Sequence, residues 1–184
     1  ETEETEGEVV AHPLALALVP WPGSGDEVGA FESLASVFTA WQHDFPEARW
    51  LIITRGVGTA FRLTERLSSW FGREHVGLVT GLTARAEREE GLRRRITVGT
   101  LALRVGIDFK GETEKHFLVF LTDNAPDFVQ ILGRVARHAS RRPEIPFRAV
   151  ALVPPPVYVC LEKALSEGAS LTRRELVAQL ERGL

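Results

Sequence analysis

The sequence predicts a three-layer α/β domain built on a mainly parallel sheet, followed by a short helical tail. Three observations carry that expectation. Short apolar runs rich in Val, Ile, Leu and Phe recur along the chain, segments of helical period separate them, and the composition is that of a globular protein, 44% apolar and 26% charged over 184 residues. Strand and helix in alternation imply crossover connections, which make a parallel sheet with helices on both faces.

The apolar runs fall at Leu14 to Val19, Trp50 to Thr54, Val76 to Val79, Ile96 to Val98, Phe117 to Leu121 and Arg148 to Val153, short enough and apolar enough to be buried strands. After the first, Phe31, Leu34, Ala35, Phe38 and Trp41 mark one helix. After the second, Ala60, Leu63, Leu67, Trp70 and Phe71 mark another, each putting an apolar stripe on one face. A third segment, Thr83 to Arg95, is mostly Arg and Glu and can bury little. A fourth starts near Pro126, a favoured first-turn residue, and runs through Phe128, Ile131, Leu132 and Val135. Pro154, Pro155 and Pro156 close the sheet domain. In the tail, Thr172 and Glu175 have capping-box spacing, Leu171 and Leu176 sit where a hydrophobic staple would place them, and Leu176, Leu180 and Leu184 recur every fourth residue for packing on the domain, with partner docking as the alternative. The expected organisation is a linker remnant over 1–10, a sheet domain over 11–153 and a helical tail over 154–184.

Charge and composition narrow the function classes. Five of the first eight residues are Glu, so the formal net charge of −3 becomes +2 once they are set aside. Of the 22 basic residues only three are Lys; this bias to planar forks suits phosphate and carboxylate, although a GC-rich coding sequence favours arginine codons as well. The single Cys160 forms no intrachain disulfide, and the five scattered histidines predict no metal site. No run approaches the ~20 apolar residues of a membrane span, so a cytoplasmic protein without membrane contact is expected. The chain has no methionine, position 1 included, which predicts a piece of a longer polypeptide.

Two stretches could carry chemistry. In Gln130-Ile-Leu-Gly-Arg134-Val-Ala-Arg137-His138 the two arginines lie three apart. On a helix, both guanidiniums would project to one side, where they could reach phosphate oxygens, with Gly133 allowing close backbone approach. The alternative is an exposed arginine pair. Upstream, in Val98-Gly99-Thr100-Leu-Ala-Leu-Arg104-Val-Gly106-Ile107-Asp108-Phe109, a strand ends at Thr100 and a loop with Gly106 and Asp108 follows at the sheet's carboxyl edge, where open α/β sheets bind ligands. A Thr hydroxyl suits a nucleic-acid phosphate and an Asp can bridge to an arginine or a ribose hydroxyl; the alternative is an ordinary turn.

Together these stretches resemble motifs V and VI of superfamily 2 helicases, in the second of that fold's two RecA-like domains. Trp50-Leu-Ile-Ile-Thr54-Arg55 with the helix after it resembles motif IV, and Thr83 to Arg95, with Glu87-Arg88, resembles the helix before motif V. Within the superfamily the chain is most similar to the helicase of type I CRISPR interference systems, particularly the type I-D form. The cues are Val105-Gly106-Ile107-Asp108-Phe109, the Phe128 to His138 stretch, and a tail with Ala149-Val-Ala-Leu-Val153-Pro and Leu171-Thr-Arg-Arg-Glu175-Leu. Two positions depart from that family. Ile131 stands where it usually shows Arg, leaving one phosphate or interdomain contact without its residue, and Ala136 stands where it shows Gly, an exchange expected to be sterically mild.

The resemblance implies a role for each matching residue. Arg137 is the arginine finger, Arg134 contacts the γ-phosphate of ATP, and Gln130 positions the hydrolytic water or an interdomain contact. Gly106 and Asp108 lie near the nucleotide, while Thr100, Thr54 and Arg55 touch the nucleic-acid strand. The chain shows neither a Gly-x-x-x-x-Gly-Lys-Ser/Thr phosphate loop nor an Asp-Glu-x-His or Asp-Glu-Ala-Asp box, so ATP and Mg²⁺ are expected mainly on an N-terminal RecA-like domain of the same polypeptide, and the chain is not expected to act alone. The His43-Asp44 pair reads as the polar end of a helix. The implied partners are single-stranded DNA, with RNA as the alternative, a CRISPR surveillance complex and a nuclease on another subunit. Two other readings stand beside this one: an inactive helicase-like scaffold, and a superfamily 2 helicase of repair or RNA remodelling.

Overall fold

In a computed structural model, which describes residues 14–21, 25–104, 107, 109–164 and 173–183, six parallel strands form one sheet. They are β1 (Leu14–Pro20), β2 (Trp50–Thr54), β3 (Val76–Val79), β4 (Ile96–Thr100), β5 (Phe117–Leu121) and β6 (Phe147–Val153), in the order β1-β6-β5-β2-β4-β3. The apolar runs of the sequence match them, with β4 running two residues further, to Thr100, and every residue of β2, β4 and β5 buried. Residues 1–10, Thr172 and Leu171, with their expected linker, cap and staple, lie outside the described residues.

Two cores sandwich the sheet. One face carries α1 (Glu27–Glu32), α2 (Ala35–Asp44) and α3 (Val57–Phe71), whose Phe31, Phe38, Trp41, Ala60, Leu63 and Leu67 pack on Trp50, Ile52, Val98 and Val119. The single helix expected from Phe31 to Trp41 is two helices. Ser33 spends its hydroxyl on the Ala30 carbonyl at 2.7 Å, a local bond that competes with helix continuation, and the chain resumes at Ala35 with the apolar stripe intact. Trp70 also departs from its expected place, being 43% exposed while Leu63 and Leu67 are fully buried.

The other face carries α5 (Ala125–Leu132), α6 (Pro155–Ala164) and α7 (Arg173–Gly183). Phe128, Ile131, Val157, Leu161 and Leu176 join one core with Leu51, Leu118 and Phe120. Strand β6 ends at Val153 as the prolines imply, but Pro155 and Pro156 then serve as first-turn residues of α6, which packs back on the sheet. The charged α4 (Arg85–Arg93) buries only Gly91 and Leu92. Its backbone lies directly on β3: a Cβ on Gly77 would meet the Gly91 oxygen at 2.5 Å, so closeness of two glycines replaces the missing apolar stripe.

The sharpest difference from the sequence reading lies beyond α5. The helix ends at Leu132, with Asn124 capping its start, so Arg134 and Arg137 are not on a helix. Backbone N–H groups of Arg134 and Val135 reach back to Ile131 and Leu132, tightening the last turn. Gly133 has φ −71°, a conformation open to any residue, whereas the buried Ala136 has φ 61° in the left-handed region. The exchange of Gly for Ala at that position is therefore strained rather than mild.

At the amino ends of the strands, Lys115 is fully buried and donates to the carbonyls of Leu92 at 2.9 Å and Arg94 at 2.7 Å. Burial, reinforced by the nearby Arg49 cation, holds its amine well below the usual lysine range. Beside it, burial also lowers the His116 pKa against the pull of Glu114.

Because the folded chain releases the Lys115 proton at lower pH than the unfolded chain, the unfolded state binds more protons between the two values. The lysine's contribution to stability therefore rises with pH up to the unfolded value near ~10.4, by at most about 1.4 kcal/mol per pH unit. Urea unfolding at neutral and alkaline pH should show wild type gaining on Lys115→Met as pH rises; a gap independent of pH would contradict this ionisation state. Ala136→Gly should raise stability by about 1 kcal/mol through relief of left-handed strain, read as a higher Tm. A lower Tm would contradict the strain.

Candidate nucleotide and nucleic-acid interface

Chain order changes direction at the centre of the sheet: from β2 the chain goes outward to β3, returns through β4, then crosses to β5 on the other side. The carboxyl ends of β2 and β5 therefore flank a switch point, the place where open α/β sheets leave a crevice. Arg55 follows β2 and Asp123 lies just past β5, and they pair across it at 2.9 Å. The same guanidinium meets Glu27 of α1 at 2.7 Å and lies 4.7 Å from the centre of the Trp21 ring. Arg55 thus holds α1, β2 and β5 together, and two carboxylates already occupy the donors that a phosphate would need. Nothing in the sequence ties Glu27, Asp123 or Trp21 to Arg55; an Asp one residue past Thr122 after a buried run is the one signal it offers.

Thr54 and Thr100 end β2 and β4 in register with one another. Both are buried, and the Thr54 hydroxyl is engaged with the carbonyls of Gly56 at 3.0 Å and Gly99 at 3.3 Å. Thr54 therefore positions the end of β2 against β4 and offers no free hydroxyl to a strand lying outside. Gly99 is fixed by close approach, since a Cβ there would lie 2.5 Å from the Val79 carbonyl oxygen and 2.2 Å from the Leu103 side chain in the 3₁₀ turn Leu101–Arg104. In the neighbouring loop Arg88 donates to the Thr80 carbonyl at 3.2 Å, tying α4 to the end of β3.

Gln130, Arg134 and Arg137 lie on and just after α5. Gln130 is exposed on α5. Arg134 is half-buried, and its Nη1 donates to the Ile107 carbonyl at 2.9 Å, which joins the segment after α5 to the loop after β4. Gly106 and Asp108 flank Ile107 but lie outside the described residues. Arg137, three residues on, is exposed and makes no ion pair among the described residues. The core side chains Val135 and Ala136 between the two arginines anchor the turn, so the arginines stand on a packed scaffold without being helical. Ile131 is fully buried in that core.

The donor set has a definite chemistry. Two guanidiniums and an amide suit phosphate oxygens, while among the described residues no group of three or more His, Cys, Asp or Glu side chains converges as a metal site requires. Nor is any helix of the described residues long and apolar enough to cross a membrane. His43 and Asp44 end α2 on the surface, bonded to each other at 3.0 Å.

No protein-family model and no curated protein matches the chain. Solved structures do. T. fusca Cas3 aligns over 92% of this chain and 24% of its own, at 19% identity and a TM-score of 0.65. The C-terminal domain of the DEAD-box protein Dbp5 aligns over 91% of this chain and 97% of its own, at 15% identity and a TM-score of 0.59. Mss116p bound to ssRNA and AMP-PNP aligns over 88% of this chain at 15% identity and a TM-score of 0.59, and the chain spans 32% of its length. The chain has the α/β RecA-like fold of helicase C-terminal domains.

Proposed function

We propose that the chain is the second RecA-like domain of an ATP-dependent superfamily 2 DNA helicase or translocase acting in type I CRISPR interference. The observation that carries this reading is the pair of arginines after α5: Arg134 is anchored on the Ile107 carbonyl, and Arg137 stands exposed three residues beyond. The similarity to T. fusca Cas3 supports the CRISPR setting; DNA follows from the sequence resemblance, with RNA as the alternative, since Mss116p is bound to ssRNA. In this reading the chain supplies half of a nucleotide site. Gln130, Arg134 and Arg137 would reach the terminal phosphate of ATP, with Gly106 and Asp108 beside it, and Mg²⁺ with the remaining phosphates would be held by a first RecA-like domain. ATP supplies the transferable phosphoryl group; Arg137 neutralises the charge that develops on it.

Nucleic acid would run over the carboxyl ends of β2, β4 and β3. Thr54 and Thr100 shape that edge from beneath. For Arg55 to touch the strand, a phosphate must displace Asp123, the more exposed of its two carboxylates. A surveillance complex and a separate nuclease subunit complete the proposed assembly. A scaffold reading, in which the fold is kept and catalysis lost, is favoured by the two departures from the resembled family: Ile131 is sealed in the core where the family usually shows Arg, for a phosphate or interdomain contact, and Ala136 stands where it shows Gly.

The test is made in the full-length protein. Arg137→Ala should lower DNA-stimulated ATP turnover by about 10³-fold or more while leaving ATP binding within a few-fold. Unchanged turnover would remove the arginine-finger assignment, and absent turnover in the wild type would favour the scaffold.

A further inference from the structure

Beyond Ala136 the chain leaves the core. Arg137, His138 and Ala139 are exposed, as are Arg141 through Glu144, and burial resumes only at Ile145. A stretch with so little buried surface takes its position from whatever holds its ends. One end is held by the buried Val135 and Ala136 and by Arg134, whose Nη1 donates to the Ile107 carbonyl at 2.9 Å. The other is held by a carboxylate. The backbone N–H of Arg141 donates to Glu114, at 3.2 Å to Oε1 and 3.4 Å to Oε2. Both links span 27 residues of chain, so the loop after β4 and the segment after α5 are joined at two points in one register, with Arg137 between them.

Glu114 is itself firmly seated. It is buried, and its N–H reaches the Gly111 carbonyl at 3.2 Å to close the 3₁₀ turn Gly111–Thr113. Two residues on, His116 joins the sheet through the Arg49 carbonyl at 2.8 Å. His116 Nε2 lies 3.7 Å from the Glu114 carboxylate, and the Arg49 cation also feels its charge. The Arg141 side chain follows its backbone to the same turn, with Nη2 3.5 Å from where a Cβ on Gly111 would stand.

We propose that Glu114 is a positioning residue for the arginine finger: by holding the Arg141 N–H it sets where Arg137 stands relative to Arg134. Glu114 has this role only if Arg137 acts on the phosphate as proposed above. An arginine finger must meet the transferring phosphoryl group closely, and a displacement of about 1 Å can cost about 10²-fold in rate. Glu114 acts through Arg137 and needs no contact with the nucleotide.

Two replacements of similar size, made in the full-length protein, separate contact from charge. Glu114→Asp keeps the charge beside His116 and Arg49 but withdraws the oxygens by one methylene. It should lower kcat for DNA-stimulated ATP turnover by about ten-fold or more, with KM for ATP held within about two-fold. Glu114→Gln discards the charge but keeps an oxygen for the Arg141 N–H, and should turn over ATP within about three-fold of wild type. In an Arg137→Ala background Glu114→Asp should cost nothing further, since no finger is left to position. Amide hydrogen exchange over residues 137–141 should quicken in Glu114→Asp but not in Glu114→Gln, with β5 unchanged in both. Four results would overturn the proposal while leaving Arg137 its role: undiminished turnover in Glu114→Asp, an equal loss in Glu114→Gln, a further loss in the Arg137→Ala background, or exchange unmoved by Glu114→Asp. Normal turnover in Arg137→Ala, or none in the wild type, would overturn the finger reading itself and the role of Glu114 with it.

Discussion

A sheet whose strands all run parallel must be covered on both faces, because each crossover returns the chain over one face or the other. That constraint organises this molecule. It demands strands that are apolar throughout, which β2, β4 and β5 are, and it gathers all six carboxyl ends along one edge. Loops leaving that edge carry Arg55 and Asp123, and the loop after β4 offers the Ile107 carbonyl to Arg134.

The arginines of this chain divide by what already holds them. Arg55 is clamped by Glu27 and Asp123 and serves the fold at the switch point. Arg134 is partly committed, to the Ile107 carbonyl, and in return fixes the path of the next residues. Arg137 is exposed and makes no ion pair among the described residues, which leaves its guanidinium open to the phosphate that the proposed function gives it. Backbone strain at Ala136 sits between the last two, and strain of this kind persists where surrounding packing over-determines it, as the buried Val135 and Ile131 do here.

The strands were legible because burial on both faces leaves an unbroken apolar run, and the helices over one face because Phe31 through Trp41 and Ala60 through Leu67 keep a 3.6-residue period. The segment from Pro126 through Phe128, Ile131 and Leu132 reads equally well as helix, but periodicity does not say where a helix stops. Leu132 is followed by apolar Val135 at helical spacing, and that spacing concealed the turn. The Arg55 clamp was hidden for a different reason: its carboxylates are 28 and 68 residues away in the chain, and only the sheet order brings them together. Lys115 was equally silent, since a lysine before a strand ordinarily faces water.

The account stands or falls on the claim that this fold contributes half of a motor site. Its most direct test is DNA-stimulated ATP hydrolysis by the chain alone and by the chain mixed with the proposed first RecA-like domain. The account predicts turnover only in the mixture, dependent on single-stranded DNA. A mixture that binds DNA yet hydrolyses no ATP would contradict it.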